Sequence, residues 1–491
     1  MSTSGSSRSV SLAESTATKV VQNTSILLIG RIANALLGAA SSVLIVRCLG
    51  SEQFGEFSSF YAYATLFAWL ATLGIEPVLT RESARCRERA GSIMATGIAL
   101  CCAFAAITSV FAILLAPHVG FRGGMQLLVV FAAIELLGFA PLRLAGAIFQ
   151  VDLRQWYGTG INLARQVLWL LVVIVLAKTG GSLTSFVVGR LSVAFVETVL
   201  LLVVSAKFLA RPRRIIVQDL RPYLRACAPI ALSTLLASVY LRIDQVMLHN
   251  MASDKILGFY AAAVKVSELF EMFPAALLSS LFPILAVAAS DGQRMAIYED
   301  RVFRYIMAAA GLLCTVISVG AAPVIRILYG RQFAPSAHIL SILIWSEFAV
   351  FFGAAIANLL LAKGLQTYLL FPTIGGAVFN IALNYVWIPR YEAVGSAWAT
   401  VVSYTFAWAI VLLGFPDTRA MMWHGLRKGI PVVLVSSVGA VLAGSLPLSP
   451  VFRLVTALVL YGAGVSLMRT IRSADLQYLR AAWHQTVWRR A

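Results

Sequence analysis

The stretch Leu328–Tyr404 opens with LYGRQFAPSAHILSIL (residues 328–343) and closes with NLLLAKGLQTYLLFPTIGGAVFNIALNYVWIPRYEAVGSAWATVVSY (residues 358–404). It holds three apolar runs of helix length with their connecting turns, and it sets Glu347, Asn358, Lys363, Asn380 and Asn384 in or beside those runs. A soluble domain has no use for apolar runs of that length, and a simple anchor has no use for so many polar groups within them. The pattern is that of a polytopic membrane protein with a wet or polar interior.

The whole chain follows the same pattern. Sixty per cent of its 491 residues are apolar and only 12% are charged, with a mean hydropathy of +0.85, far from the soluble average of about one quarter charged. Backbone in hydrocarbon must satisfy its own hydrogen bonds, so apolar runs of about 20 residues read as helices. The fold class expected is all-α, with about 14 transmembrane helices arranged as two six-helix lobes and two C-terminal helices around a central cavity. Six spans fall within residues 21–206 and six within 226–416, and two more occupy 417–470. Residues 1–20, rich in Ser and Thr, read as a disordered cytoplasmic leader.

A formal net charge of +18 would suit nucleic acid, but the basic residues alternate by side along the chain. The clusters at Arg81–Arg89, at Lys207–Arg225, at Arg419–Lys428 and in the tail fall on one side, as the positive-inside bias requires. Both termini are thus expected in the cytoplasm, and no nucleic-acid partner is expected. No cleavable signal peptide is evident, because the first apolar segment is too long and carries Arg31 and Asn34. The six cysteines lack metal-ligand spacing and the five histidines stand singly, so neither a metal site nor a disulfide framework is expected.

The basic, Pro-containing segment 207–225 is the expected linker between lobes. An internal echo supports the division: LGSEQFGEF at 49–57 and MASDKILGFY at 251–260 pair Ser51-Glu52 with Ser253-Asp254, each followed by glycine and an aromatic helix start. Repeat-built transporters place their substrate between the repeats. The tail 471–491 spaces Leu476, Leu479, Trp483 and Val487 at helical intervals among arginines, as in an amphipathic helix lying on the cytoplasmic leaflet. A soluble helix packed on the lobe is the alternative for that segment. The outward loops are too short for a folded domain.

Charges inside the spans each cost about 2.5–3.5 kcal/mol or more and need a compensating role. Arg31, Arg143, Arg165, Arg242 and Lys265 are the candidate substrate-binding cations, since guanidinium forks match phosphate oxygens and never deprotonate. Glu135, Asp244, Glu268 and Glu347 are the candidate ion-coupling carboxylates. Lys265 and Glu268, three apart, can pair directly, and a structural pair competes evenly with a substrate role. Arg242 and Asp244 point to opposite sides of their helix. Glu76 and Arg190, near span ends, read as interfacial.

In these residues the chain resembles the polysaccharide or oligosaccharide-lipid flippases of the multidrug/oligosaccharidyl-lipid/polysaccharide exporter superfamily. The resemblance is carried by IVRCLGSEQFGEFSS, ATLGIEPVLTRESAR, LYGRQFAPSAHILSI, NLLLAKGLQ and NIALNYVWIPRYEAVGSAWAT, in that order over nearly the whole chain. It implies a bacterial inner-membrane protein that moves an undecaprenyl-diphosphate-linked glycan between leaflets by alternating access, driven by a proton or Na⁺ gradient, for O-antigen, capsule or exopolysaccharide assembly. Expected partners are that lipid-linked oligosaccharide, membrane lipids, and polysaccharide polymerase and chain-length machinery, with no cofactor and no catalytic residue. Two departures stand out. Relatives usually read PxYG where this chain has Pro389, Arg390, Tyr391 and Glu392, and Arg31-Ile32 replaces the Arg-Asp pair typical of peptidoglycan-precursor flippases. The latter makes lipid II a poorer cargo. A drug or cation antiporter of the same fold is the nearest rival, and the arginine excess counts against it.

Overall fold

The computed structural model describes residues 4–468, apart from 73, 153, 210–213 and 289–290, with side chains chiefly from Ile29 onward. The described residues are helical throughout, without a strand. In order they form α1 (Ser4–Thr72), α2 (Glu76–Arg85), α3 (Ala90–Leu115), α4 (Gly124–Gly138), α5 (Ala140–Arg143), α6 (Ile148–Val151), α7 (Gln155–Thr179), α8 (Leu183–Ser205) and α9 (Val217–Met251). There follow α10 (Asp254–Glu268), α11 (Met272–Ala288), α12 (Gly292–Tyr329), α13 (Pro335–Leu343), α14 (Ser346–Ala362), α15 (Leu370–Gly414), α16 (Pro416–Ser445) and α17 (Pro450–Leu467). The tail 471–491 lies outside the described residues. Where composition suggests a disordered leader, the backbone is already helical from Ser4.

Among the described residues, 11 segments are long and apolar enough to cross a bilayer, which makes this an all-α polytopic membrane fold. About 14 spans are expected from sequence, and the difference lies in how the ends are joined. α1 and α15 exceed any bilayer thickness, and each is broken at one residue: Gly50 at φ 73°, ψ −178° and Glu392 at φ 51°, ψ −131°. Both pieces of α15, and the piece of α1 after Gly50, are about 20 residues long, roughly 30 Å or one bilayer each; the piece of α1 before Gly50 is longer, and its apolar span begins at Ile29. The expected turns at 47–56 and 389–393 are therefore mostly helix. Conversely, the expected span 258–289 divides into α10 and α11. The expected fourth span is interrupted after Gly138, beside Pro141, where α5 and a 3₁₀ turn replace a continuous helix.

The helices are sorted inside out relative to a soluble bundle. On α3, Ile107, Val110, Phe111 and Leu114 form an exposed stripe, whereas Cys101, Ala105, Thr108 and Ala112 face inward. Small residues let membrane helices approach where no hydrophobic gradient drives them together. Buried polar groups are satisfied locally or across helices: Thr108 donates to the Phe104 carbonyl at 2.7 Å, and Tyr63 donates to the Ala112 carbonyl at 2.6 Å.

The chain forms two compact units, Met1–Gly258 and Phe259–Ala491. In the first, α1 packs on α3, α7 and α9. In the second, α12 packs on α13, α14, α16 and α17. The division falls after Gly258, beyond the linker expected at 207–225. The cause is that the linker is tied to the first unit: the Arg214 and Ile216 amides donate to Ser92 Oγ at 3.3 Å and Thr96 Oγ1 at 2.9 Å, and Arg89 pairs with Asp219 at 3.3 Å. α9 then continues along α1.

In the second unit, Asn380 Nδ2 donates to Ser403 Oγ at 3.0 Å, and Asn384 Nδ2 donates to Asn380 Oδ1 at 2.9 Å. The first of these joins the two halves of α15 across the break, and the second ties the two asparagines to each other within the first half. The break between those halves sits on Glu392, the one non-glycine residue with positive φ among the described residues. It is also the position at which the family pattern has glycine, and a Cβ there costs about 1–3 kcal/mol. Glu392→Gly is therefore expected to stabilise the protein by about 1–2 kcal/mol, seen as a higher thermal-unfolding midpoint in detergent; an unchanged or lower midpoint would show that the side chain compensates its own strain.

Candidate functional site

The first unit contains a cavity of about 590 Å³ walled by the second half of α1, α2, α4, α5, α8 and α9. Its apolar wall includes Phe60, Ala64, Ala68, Trp69, Ile75 and Ile230, and its charged groups are Glu76, Glu135, Arg143 and Arg190. Arg143 is delivered by the interruption after Gly138, since the short α5 and its following 3₁₀ turn carry the guanidinium to face α4 and α8. Its Nη2 meets Glu135 Oε1 at 2.8 Å and its Nη1 meets Glu197 Oε2 at 3.4 Å. Glu197 is shared, because its other oxygen receives Arg165 Nε at 3.3 Å. Arg165 is held a second time, donating to Asn162 Oδ1 at 2.8 Å from Nη2.

Arg190 completes the group. Its Nη2 donates to Tyr61 OH at 2.6 Å, and its guanidinium lies 4.5 Å from the centre of the Tyr61 ring, a cation–π geometry that holds a cation without a counter-anion. The cluster Arg143–Glu135–Glu197–Arg165 with Arg190 thus sets three guanidinium groups against two carboxylates, one positive charge in excess. At the other end of the cavity Glu76 accepts from Gln150 Nε2 at 2.6 Å.

The remaining sequence candidates do not line this cavity. Arg31 is exposed on the first half of α1. Arg242 is half-buried on α9 and Asp244 is buried there, with its Oδ1 accepting from the Gln245 amide at 2.7 Å. In the second unit Lys265 pairs with Glu268 at 2.8 Å, the direct contact that their spacing calls for. Glu347 is 1% exposed; its Oε1 accepts from Ser267 Oγ at 2.8 Å, and its buried Oε2 has no hydrogen-bond partner. Arg143, Arg165 and Glu135 are thereby brought together in the first unit, and Lys265, Glu268 and Glu347 belong to the second.

Two members of the cluster escape the sequence reading. Arg190, read as interfacial, stands on α8 about two turns (roughly 10 Å) beyond the helix start at Leu183; counting its depth from the Ser182 cap would have found it. Glu197 is one of several carboxylates in the spans, and nothing in the chain marks it as the bridge. The second unit has its own cavity, about 1090 Å³ and mainly apolar, walled by α12, α13, α14, α15 and α16, with Trp345, Trp398, Trp408 and Arg453 among its lining.

Glu197 faces two arginines, so replacing it leaves two partly buried guanidinium groups short of a counter-charge. Glu197→Gln is expected to lower stability by about 2–3 kcal/mol, and Glu135→Gln by less, because Arg143 keeps Glu197. Thermal unfolding of the purified variants measures both, and equal losses would refute the bridging role.

The family model described as polysaccharide biosynthesis protein matches residues 20–289, and the model described as MatE matches residues 229–386. No curated protein sequence matches the chain. The structure is similar to that of the lipid II flippase MurJ in its inward closed conformation, with a TM-score of 0.71 at 12% identity over 90% of this chain and 98% of that one. It is also similar to the inward-facing conformation of a multidrug resistance MATE family transporter (TM-score 0.59, 17% identity, 81% of this chain and 95% of that one). A third likeness is to a MOP superfamily transporter from Pyrococcus furiosus, whose title reports a binding pocket of reverse polarity (TM-score 0.54, 14% identity, 86% and 96%).

Proposed function

The chain belongs to the polysaccharide biosynthesis protein family, among the flippases and transporters of the exporter superfamily, and from that premise we propose that it flips undecaprenyl-diphosphate-linked oligosaccharide from the cytoplasmic to the periplasmic leaflet of a bacterial inner membrane. The observation that carries this reading is the arginine excess of the Arg143–Glu135–Glu197–Arg165–Arg190 cluster, with Arg190 held by a phenol rather than a carboxylate. A cation antiporter would need the opposite balance.

The chemistry follows from the donor count. Guanidinium has five N–H donors in a planar fork, and Arg190 spends one on Tyr61, so its remaining edge can take a phosphate oxygen pair. Arg143 is held by two carboxylates, and an incoming diphosphate can displace Glu135 while Glu197 stays. The diphosphate and the first sugars occupy the charged part of the first unit's cavity, and the polyprenyl chain, whose transfer between apolar surroundings needs no dehydration, stays against apolar surface. Both chain ends face the cytoplasm in this reading, and polymerase and chain-length proteins take the product on the outer side.

Coupling to a cation gradient rests on Glu347. Its buried, unpartnered oxygen is the kind of group that takes up a proton or Na⁺ in one state and releases it in another. Lys265–Glu268, already paired, is the structural element beside it.

Arg190→Ala and Arg143→Ala variants, inserted at normal levels, are expected to reduce surface-glycan export in a deletion strain by at least about tenfold, the scale of losing one charge-assisted contact to phosphate. The deletion itself should leave lipid-linked glycan on the cytoplasmic leaflet. Full export by both variants would refute the anion site, and normal glycan with altered drug sensitivity would favour the antiporter. Transport in vesicles by Glu347→Gln should no longer respond to collapse of an ion gradient; a response like that of the unaltered protein would remove Glu347 from coupling.

A further inference from the structure

The echoed segments of the sequence meet in space, and they meet backbone to backbone. A Cβ built on Gly55 would lie 1.8 Å from the Asp254 carbonyl oxygen, and one built on Gly258 would lie 1.8 Å from the Ser51 carbonyl oxygen. The contact is reciprocal: each glycine faces the carbonyl four residues before the other. It sets the correspondence of the two copies one residue later than the Ser51–Ser253 match suggests, so that Ser51 answers to Asp254 and Gly55 to Gly258. Neither carbonyl belongs to a flexible side chain, so neither can swing aside, and only glycine lets the two helix starts approach this closely. At that distance each glycine Cα–H can serve as a weak donor to the opposing carbonyl.

The surroundings fix one side of this crossing. His249 at the end of α9 pairs through Nδ1 with Asp254 Oδ1 at 2.7 Å, and its ring stacks on Phe121 with 4.7 Å between centroids. Phe121 in turn packs on Tyr63 at 4.8 Å. Asp254 is thus pinned to α9 and to the turn after α3, while Ser51 and Gly55 follow the break at Gly50. All four residues of the crossing belong to the first unit, of which Gly258 is the last residue.

We propose that this reciprocal glycine contact is a clasp at the outer ends of the helices, which must separate for the cavity to open outward and whose two glycines set how readily it does so. The proposal rests on the alternating-access reading for the sense of outward opening. A methyl group on either glycine is incompatible with the closed crossing, so one added methyl at either position biases the protein toward the open state, and the two positions act alike.

The test uses full-length protein in intact cells, with the native cysteines replaced and a reporter Ala64→Cys on the cavity wall of the first unit. Labelling by a membrane-impermeant maleimide is expected to rise by about fivefold or more in Gly55→Ala and in Gly258→Ala. It should stay unchanged in Gly320→Ala, a helical glycine with nothing within 4 Å of its added Cβ. Labelling at the unaltered rate in either clasp variant would overturn the proposal, as would a rise in only one of them. Should the variants fail to reach the membrane, hydrogen exchange of the unaltered protein over a temperature series decides: peptides spanning residues 49–58 and 252–262 should lose protection together, and rates that diverge by more than about tenfold would refute a shared opening. Neither readout requires a substrate, so a failure of the flippase reading leaves both interpretable.

Discussion

A charge buried among membrane helices has no water to lean on, and the arrangement of the first unit follows from that constraint. Glu197 answers it by serving two arginines at once, with one oxygen for Arg143 and the other for Arg165. Because that carboxylate does double duty, Glu135 is left to a single arginine, and Arg190 must be steadied by the face and hydroxyl of Tyr61. The surplus of cations is tolerated because an aromatic quadrupole supplies part of what an anion would. Rigid enough to be held without cargo, the guanidinium groups nonetheless keep donors unspent.

The fold was largely legible from hydropathy because bilayer thickness is a ruler, and each run of apolar residues is measured against it. What hydropathy could not show is where a chain turns. Polar residues at 47–56 and 389–393 look like loops, yet helix continues to a single break at Gly50 and at Glu392, since polar residues outside the hydrocarbon are free to be helical. The compact units divide after Gly258 and not at the basic segment 207–225 for a related reason. Basic composition marks a segment as facing water, but the hydrogen bonds from Arg214 and Ile216 to α3, which hold that segment to the first unit, leave no trace in composition.

The site was legible in its ingredients and not in its pairings. Lys265 and Glu268 could be matched because helical spacing puts them on one face. Arg143 with Glu197, and Ser267 with Glu347, join residues on helices far apart in sequence, where a single chain gives no register. Arg190 was discounted on its distance from a span end, a measure that shifts with each end drawn, while its partner Tyr61 resembles any aromatic in a membrane helix. The echo of Ser51-Glu52 in Ser253-Asp254 was visible, but the contact that gives it meaning is made by glycines, through atoms that a side-chain comparison passes over.

The unequal count of three guanidinium groups and two carboxylates also has an electrical consequence. In the proposed function, the Arg143–Glu135–Glu197–Arg165–Arg190 cluster without cargo carries one net positive charge, and with a bound diphosphate of about two negative charges it is net negative. Across a membrane that is negative inside, each unit of charge moved through 100 mV is worth about 2.3 kcal/mol. On that proposal the field favours the loaded cluster turning outward and the empty cluster turning inward.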